Sequence, residues 1–248
     1  MNKKDYLEKI RRHCENLVIY LADDKREKAE MACRAFTEYV ERLWNRHNEL
    51  LQIEAFSINA DPGRMTKHEI TLAELQLAFV DKTEAFHQQV YATISAFIML
   101  LSHIADQKFL SQMPVDSLTK FLRHISDKSY ESIVKDQAAL LIKSADFRSK
   151  FIDHPQQHAL HDWITYSYGT GVCIIYFIRK GNEVYFIEPR DPYAPNFVPP
   201  VNYKSFYVSP AHTQVFLAVT YFTEKVLSSL VPEKEKKTPK TNKSKKKK

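Results

Sequence analysis

Residues 72–104 read LAELQLAFVDKTEAFHQQVYATISAFIMLLSHI, and this stretch decides the fold class. Apolar side chains recur at Leu72, Leu75, Phe79, Phe86, Val90, Ile94, Phe97, Leu101 and Ile104. Steps of three, four and seven put them on one face of an α-helix, whereas a strand would need alternation. After Val90 the pattern becomes apolar nearly all round, which is the mark of a helix covered on every side. The segment is therefore expected to be the central, most buried helix. Glycine usage extends the reading to the rest of the chain. Only four glycines occur in 248 residues, and Gly169, Gly171 and Gly181 lie close together, so helices should dominate elsewhere.

Working outward, residues 5–22 carry Tyr6, Leu7, Ile10, Cys14, Leu17, Val18 and Leu21 at helical spacing. A second helix is expected from about Lys25 to Phe56, with its stripe at Ala29, Ala32, Phe36, Tyr39, Val40, Leu43, Trp44, Leu50 and Leu51. The loop Ser57 to Lys67, with Asp61-Pro62-Gly63, ends it. Beyond the central helix, Gln107 to Val115 reads as a loop, followed by helices over Ser117 to Ile125 and Tyr130 to Ala145. Pro155 breaks the pattern, and a further helix is expected from Gln156 to about Tyr168.

The period then changes. Val172 to Ile178 and Val184 to Ile187 are β-branched and aromatic around a turn at Arg179 to Asn182, which reads as a β-hairpin. Six of the eleven prolines fall between Pro189 and Pro210, an irregular loop with a third strand at Tyr203 to Val208. Ser209-Pro210 opens a last helix to about Leu230. The expected class is mainly α: an antiparallel helical bundle with a β-hairpin and proline-rich loop inserted before the last helix. The bundle occupies residues 1–231, the insertion about 172–208, and a lysine-rich tail 232–248.

Charge must be located before it is interpreted. The formal net charge is +6, but residues 233–248 hold nine lysines and two glutamates, leaving −1 on the rest. The tail, which includes Lys243, Lys245, Lys246, Lys247 and Lys248, has no apolar residue to bury and is expected to be disordered. It either attracts a polyanion such as RNA through counterion release or serves as a solubilising terminus. Cys14, Cys33 and Cys173 form no close pair in sequence and no CxxC, which fits a reducing cytoplasm. Neither Leu17 to Leu21 nor Ala96 to Leu101 is long enough for a signal peptide's apolar region or a bilayer span. No GxGxxG, GxxxxGK[ST], GxSxG or HExxH occurs, so neither a bound cofactor nor a nucleotide triphosphate site of the usual kind is expected.

The densest chemistry lies in Arg148-Ser-Lys-Phe-Ile-Asp-His154-Pro-Gln-Gln-His158-Ala-Leu-His161-Asp-Trp163. Imidazole transfers protons near neutral pH, and a permanent guanidinium holds an anion. Arg148 at a helix end and His154 before Pro155 would flank a helix-to-helix junction, where unpaired amides favour an anion. Two other readings stay open. Arg148 caps the helix or pairs with Asp146 or Asp153, or His158, His161 and Asp162 form a metal face on a helix.

The spacing Arg148-x5-His154, in this helical context, resembles the Arg-x(4–6)-His signature of the HEPN superfamily, many of whose members are metal-independent endoribonucleases. Ser149 stands where an asparagine, aspartate or histidine often follows the arginine. The resemblance implies a HEPN-like bundle, RNA as partner and a homodimer that sets two motifs face to face. It also implies a toxin or defence setting, with a cognate antitoxin unidentified. His154 would transfer the proton of the RNA 2′-hydroxyl, and Arg148 would hold the phosphate, with no metal. Ser149, Asp153, His158 and His161 would be supporting residues. A second match, Arg42-x4-His47, falls within a continuous helix and is read as its solvated face. The opposing expectation is a non-catalytic helical interaction module with an electrostatic tail.

Overall fold

The computed structural model describes residues 2–19, 21–59, 72–105, 117–127, 132–149, 160–168, 171–180, 183–187, 205–208 and 212–230, with the strands described by backbone and pairing alone. Six helices account for most of these residues: α1 (Lys3–Val18), α2 (Asp23–Asn59), α3 (Leu72–Ile104), α4 (Leu118–Asp127), α5 (Ser132–Phe147) and α6 (His212–Leu230). Four strands lie between α5 and α6: β1 (Leu160–Tyr168), β2 (Gly171–Lys180), β3 (Glu183–Ile187) and β4 (Ser205–Val208). The protein is mainly α. Among the described residues, no helix is long and apolar enough to cross a membrane.

The two long helices, 37 and 33 residues, form the principal contact of the bundle. The apolar stripe of α2 places Phe36, Val40 and Leu43 in the core. From α3 come Phe86, Val90, Ile94, Phe97 and Leu101, with rings of Phe36 and Phe97 5.2 Å apart. α6 closes the core and meets α1, α2, α3 and α5. Its Phe222 lies edge-on to Phe97 and Phe121, with centroids 6.1 and 6.2 Å away. Each such ring buries on the order of 150–250 Å² and contributes several kcal/mol against the unfolded chain. The turn of α3 beyond Val90 is not wholly covered: Met99 remains 47% exposed while Leu100 and Leu101 are buried.

α1 starts where Asn2 Oδ1 accepts a hydrogen bond from the Lys4 amide at 2.9 Å. It seats Tyr6, Ile10, Cys14 and Leu17 inward. The Tyr6 hydroxyl donates to the Thr220 carbonyl at 3.1 Å and lies 3.0 Å from Thr223 Oγ1, tying the first helix to the last. A buried hydroxyl with such partners adds specificity, because an alternative packing would leave it unpaired.

The chain departs from the sequence expectation after α5. A helix over Gln156 to Tyr168 is replaced, over its described part, by β1, which runs antiparallel to β2 from Leu160 opposite Arg179 to Tyr168 opposite Gly171. Trp163, Ile164, Thr165, Tyr166 and Tyr168 are β-branched or aromatic, and the available pairing edge of β2 outweighs the helical restart that Pro155 suggests. β3 pairs antiparallel with β2 and parallel with β4, giving the order β1-β2-β3-β4. The helix α2 continues to Asn59, past the expected start of a loop at Ser57. The lysine-rich tail lies outside the described residues.

Candidate functional site at the end of α5

The inward face of α5 is Val134, Ala138, Leu141, Ser144 and Phe147, all buried against the bundle. After Phe147 the helix widens into a π turn at Arg148 and Ser149. An added residue in one turn re-aims the side chains that follow it, and such turns recur at functional sites. Arg148 is half-buried, and its guanidinium carbon lies 3.9 Å from the centroid of the Tyr91 ring on α3. A contact of this kind is worth about 0.5–2 kcal/mol, depending on how far water is excluded. The ring therefore positions the guanidinium at the helix end.

One turn before Tyr91, His87 is buried, and its Nδ1 lies 2.7 Å from Ser144 Oγ on α5. The rings of Phe147 and Phe86 stand edge-on to it, with centroids 4.5 and 5.4 Å away. Burial, assisted by His212, pushes the His87 imidazole down to about 3, so the ring is neutral at physiological pH. Its Nε2 has no hydrogen-bond partner among the described residues. His87 and Arg148 thus belong to one α3–α5 contact, the first enclosed and the second at its edge.

The histidine layer continues into the core. His47 Nδ1 and His212 Nδ1 are 3.0 Å apart, which requires one of the two to carry the shared proton. The His47 ring stacks on Phe216 with centroids 4.3 Å apart and planes 15° from parallel. At 6% exposure His47 is a core residue, so reading Arg42-x4-His47 as a solvated face is wrong for its histidine. The aromatic neighbours Phe86 and Phe216 offer apolar cover, and the paired nitrogens satisfy each other's polarity. Among the described residues, no group of three or more histidine, cysteine, aspartate or glutamate side chains could hold a metal ion.

Tyr91 also begins a surface trough. A depression of about 450 Å³ runs along α3 past Ser95, Ile98, Met99 and Ser102 and reaches Ser117, Leu118 and Thr119 at the start of α4. Ser117 precedes α4, with its Oγ 3.5 Å from the Lys120 amide. Ser95, Ser102, Ser117 and Thr119 line the trough with short hydroxyls; that of Ser102 donates to the Met99 carbonyl at 2.7 Å and keeps only its acceptor side for a ligand. Arg148 and this trough meet at the same tyrosine.

Among the residues singled out in the sequence, Arg148 and Ser149 stand at the end of α5 as expected from the pattern. Asp153, His154, His158 and Lys243, Lys245, Lys246, Lys247 and Lys248 lie outside the described residues. His161 belongs to β1, opposite Ile178, so convergence with His158 across one helical turn does not apply. For the same reason the next described element after Arg148 is a strand, and the expected anion site at a following helix start has no helix in its described part. His87 and Tyr91 were not picked out by motif. The available signal was a histidine and a tyrosine set among Phe86, Val90 and Ile94 on the central apolar face.

No protein-family model, curated protein or solved structure matches this chain.

Proposed function

We propose that the protein binds single-stranded RNA along the Tyr91–Thr119 trough and cleaves it as a HEPN-like, metal-independent endoribonuclease at Arg148 and His154. The observation that carries this reading is the seating of Arg148 over Tyr91 at the head of a hydroxyl-lined trough. A guanidinium carries five N–H donors in a planar fork, and contact with an aromatic ring does not exclude hydrogen bonding of that fork to phosphate. The trough's hydroxyls suit sugar and phosphate oxygens, the groups that supply much of the polar contact to nucleic acid. Base stacking is not required of this surface.

In the proposed reaction His154 accepts the 2′-hydroxyl proton while the 2′-oxygen attacks the adjacent phosphorus. Arg148 stabilises the charge that grows on the non-bridging oxygens, and the departing 5′-oxygen takes a proton. The products are a 2′,3′-cyclic phosphate and a 5′-hydroxyl. A homodimer would bring a second Arg148–His154 pair to the same cleft, and the lysine tail would raise the local concentration of RNA at low salt.

The alternative is a non-catalytic helical interaction module, favoured by Met99, which is 47% exposed within the trough. Incubation of the purified full chain with single-stranded RNA in excess chelator separates the two. The nuclease reading expects cleavage by the wild type and at least a hundredfold loss in Arg148→Ala and His154→Ala, in line with the roughly 10²–10⁴-fold contribution of positioned proton transfer. Cleavage that survives both substitutions, or that stops on chelation, contradicts it.

A further inference from the structure

The contact between α1 and α2 holds chemistry that RNA cleavage does not use. The two helices flank a cleft of about 860 Å³ on the side of the bundle that carries Arg11, Glu30 and Arg34. Cys14 enters it from α1 and Cys33 from α2. Cys14 is buried and Cys33 is half-buried, and both are free thiols that line the same cleft between the two packed helices. Nineteen positions apart in sequence, they are brought together because α1 ends at Val18 and α2 begins at Asp23. The intervening turn is held by a hydrogen bond from the Leu21 amide to the Val18 carbonyl at 3.0 Å.

We propose that Cys14 and Cys33 are an oxidisable dithiol, which a low-molecular-weight disulfide such as glutathione disulfide converts into a covalent link between α1 and α2. The two thiols have different access, and this sets the order of events. Cys33, reachable through the cleft, loses its proton to solvent and attacks one sulfur of the oxidant. A Cys33–glutathione disulfide forms and one glutathione thiolate leaves. Cys14, which lines the same cleft, then loses its proton and attacks the Cys33 sulfur. The Cys14–Cys33 bond forms and the second glutathione leaves as thiolate. Two cysteine thiols are oxidised by two electrons, and one external disulfide is reduced to two thiols.

The surroundings fit both the oxidant and the resting state. The cleft lining carries Arg11, Arg26 and Arg34 among Glu15, Glu30, Glu38 and Glu41, so it presents both signs of charge to a glutathione-like peptide, which itself carries carboxylates and an amino group. The Cys14 contact, burial, and the charges of Glu30 and Glu15 hold the Cys33 thiol above its ordinary range. Thiolate is the attacking species, so the pair reacts slowly near neutral pH and stays reduced until a disulfide is supplied in excess.

The test treats the native full chain with glutathione disulfide, quenches with acid, and counts thiols after denaturation. One titratable thiol should remain of the three, that of Cys173, with the protein lighter by two hydrogens. Tryptic mapping should join the fragment 13–25 to the fragment 29–34, and dithiothreitol should separate them. Cys14→Ser should stop at a glutathione adduct on Cys33, and Cys33→Ser should leave Cys14 a thiol. A wild-type protein that stops at the glutathione adduct, links Cys173 instead, or keeps all three thiols overturns the proposal.

Discussion

Lowering the pH from 7 to 5 should destabilise the bundle through His87, and the size of the effect follows from its burial. In the unfolded chain this imidazole titrates near its ordinary value of 6.5, whereas in the folded protein it is pushed down to about 3. Its folded value is the lower one, so below pH 6.5 the unfolded chain binds the proton and the native state does not. Stability is therefore full above about pH 7 and declines as pH falls from 6.5 toward 3. One pH unit of mismatch corresponds to about 1.4 kcal/mol, which gives a loss of roughly 2 kcal/mol between pH 7 and pH 5 from this residue alone. Against a typical domain stability of about 5–15 kcal/mol, that loss is measurable. His87→Asn keeps a polar atom near Ser144 Oγ but does not titrate in this range. Urea unfolding followed by circular dichroism, at both pH values and for both proteins, isolates the term as a difference of differences. Any pH-independent cost of the substitution cancels. Equal losses in wild type and His87→Asn would refute the claim that this buried histidine is neutral in the fold and charged outside it.

Other perturbations test other links. Tyr91→Leu removes the ring beneath Arg148 and should weaken RNA binding about fivefold by fluorescence anisotropy, whereas Tyr91→Phe should bind like wild type, as expected for a contact worth about 1 kcal/mol. Tyr6→Phe keeps the ring but loses the hydroxyl bonded to Thr220 and Thr223, for a cost of about 1 kcal/mol. Calorimetry should show a melting temperature lower by roughly 2–4 °C. Deleting residues 233–248 should reduce RNA affinity mainly at low salt and flatten the dependence of log Kd on log salt, while the thermal melt stays unchanged.

The helical half of the fold was legible because its signal is local and repeated. Val90, Ile94, Phe97, Leu101 and Ile104 specify α3 by spacing alone, and the same spacing marks α1, α2 and α5. β1 was misread because its identity depends on pairing with β2, from Tyr168 opposite Gly171 out to Leu160 opposite Arg179, and spacing within one segment does not report that pairing. Pro155 offered a local helical cue, and tertiary pairing overrode it. At the candidate site, Arg148 was visible as a charge at the end of an apolar period. His87 and Tyr91 were not, because a polar residue on an apolar face gains its meaning from what it meets. Ser144 and Arg148, some sixty residues later, supply that meaning. His47 shows the same limit in the opposite direction: as part of the Arg42-x4-His47 match it reads as a solvated face, yet Phe216 and His212 from the last helix cover it.

The central claim is that Arg148 grips an RNA phosphate while a metal-free proton transfer breaks the adjacent bond, and the ends of the cut RNA report on it most directly. Single-stranded RNA digested in excess chelator and analysed by mass spectrometry should carry 2′,3′-cyclic phosphates and 5′-hydroxyls, with no such products from Arg148→Ala or His154→Ala. Fragments bearing 3′-hydroxyls and 5′-phosphates, or products that require a divalent metal, would contradict the account.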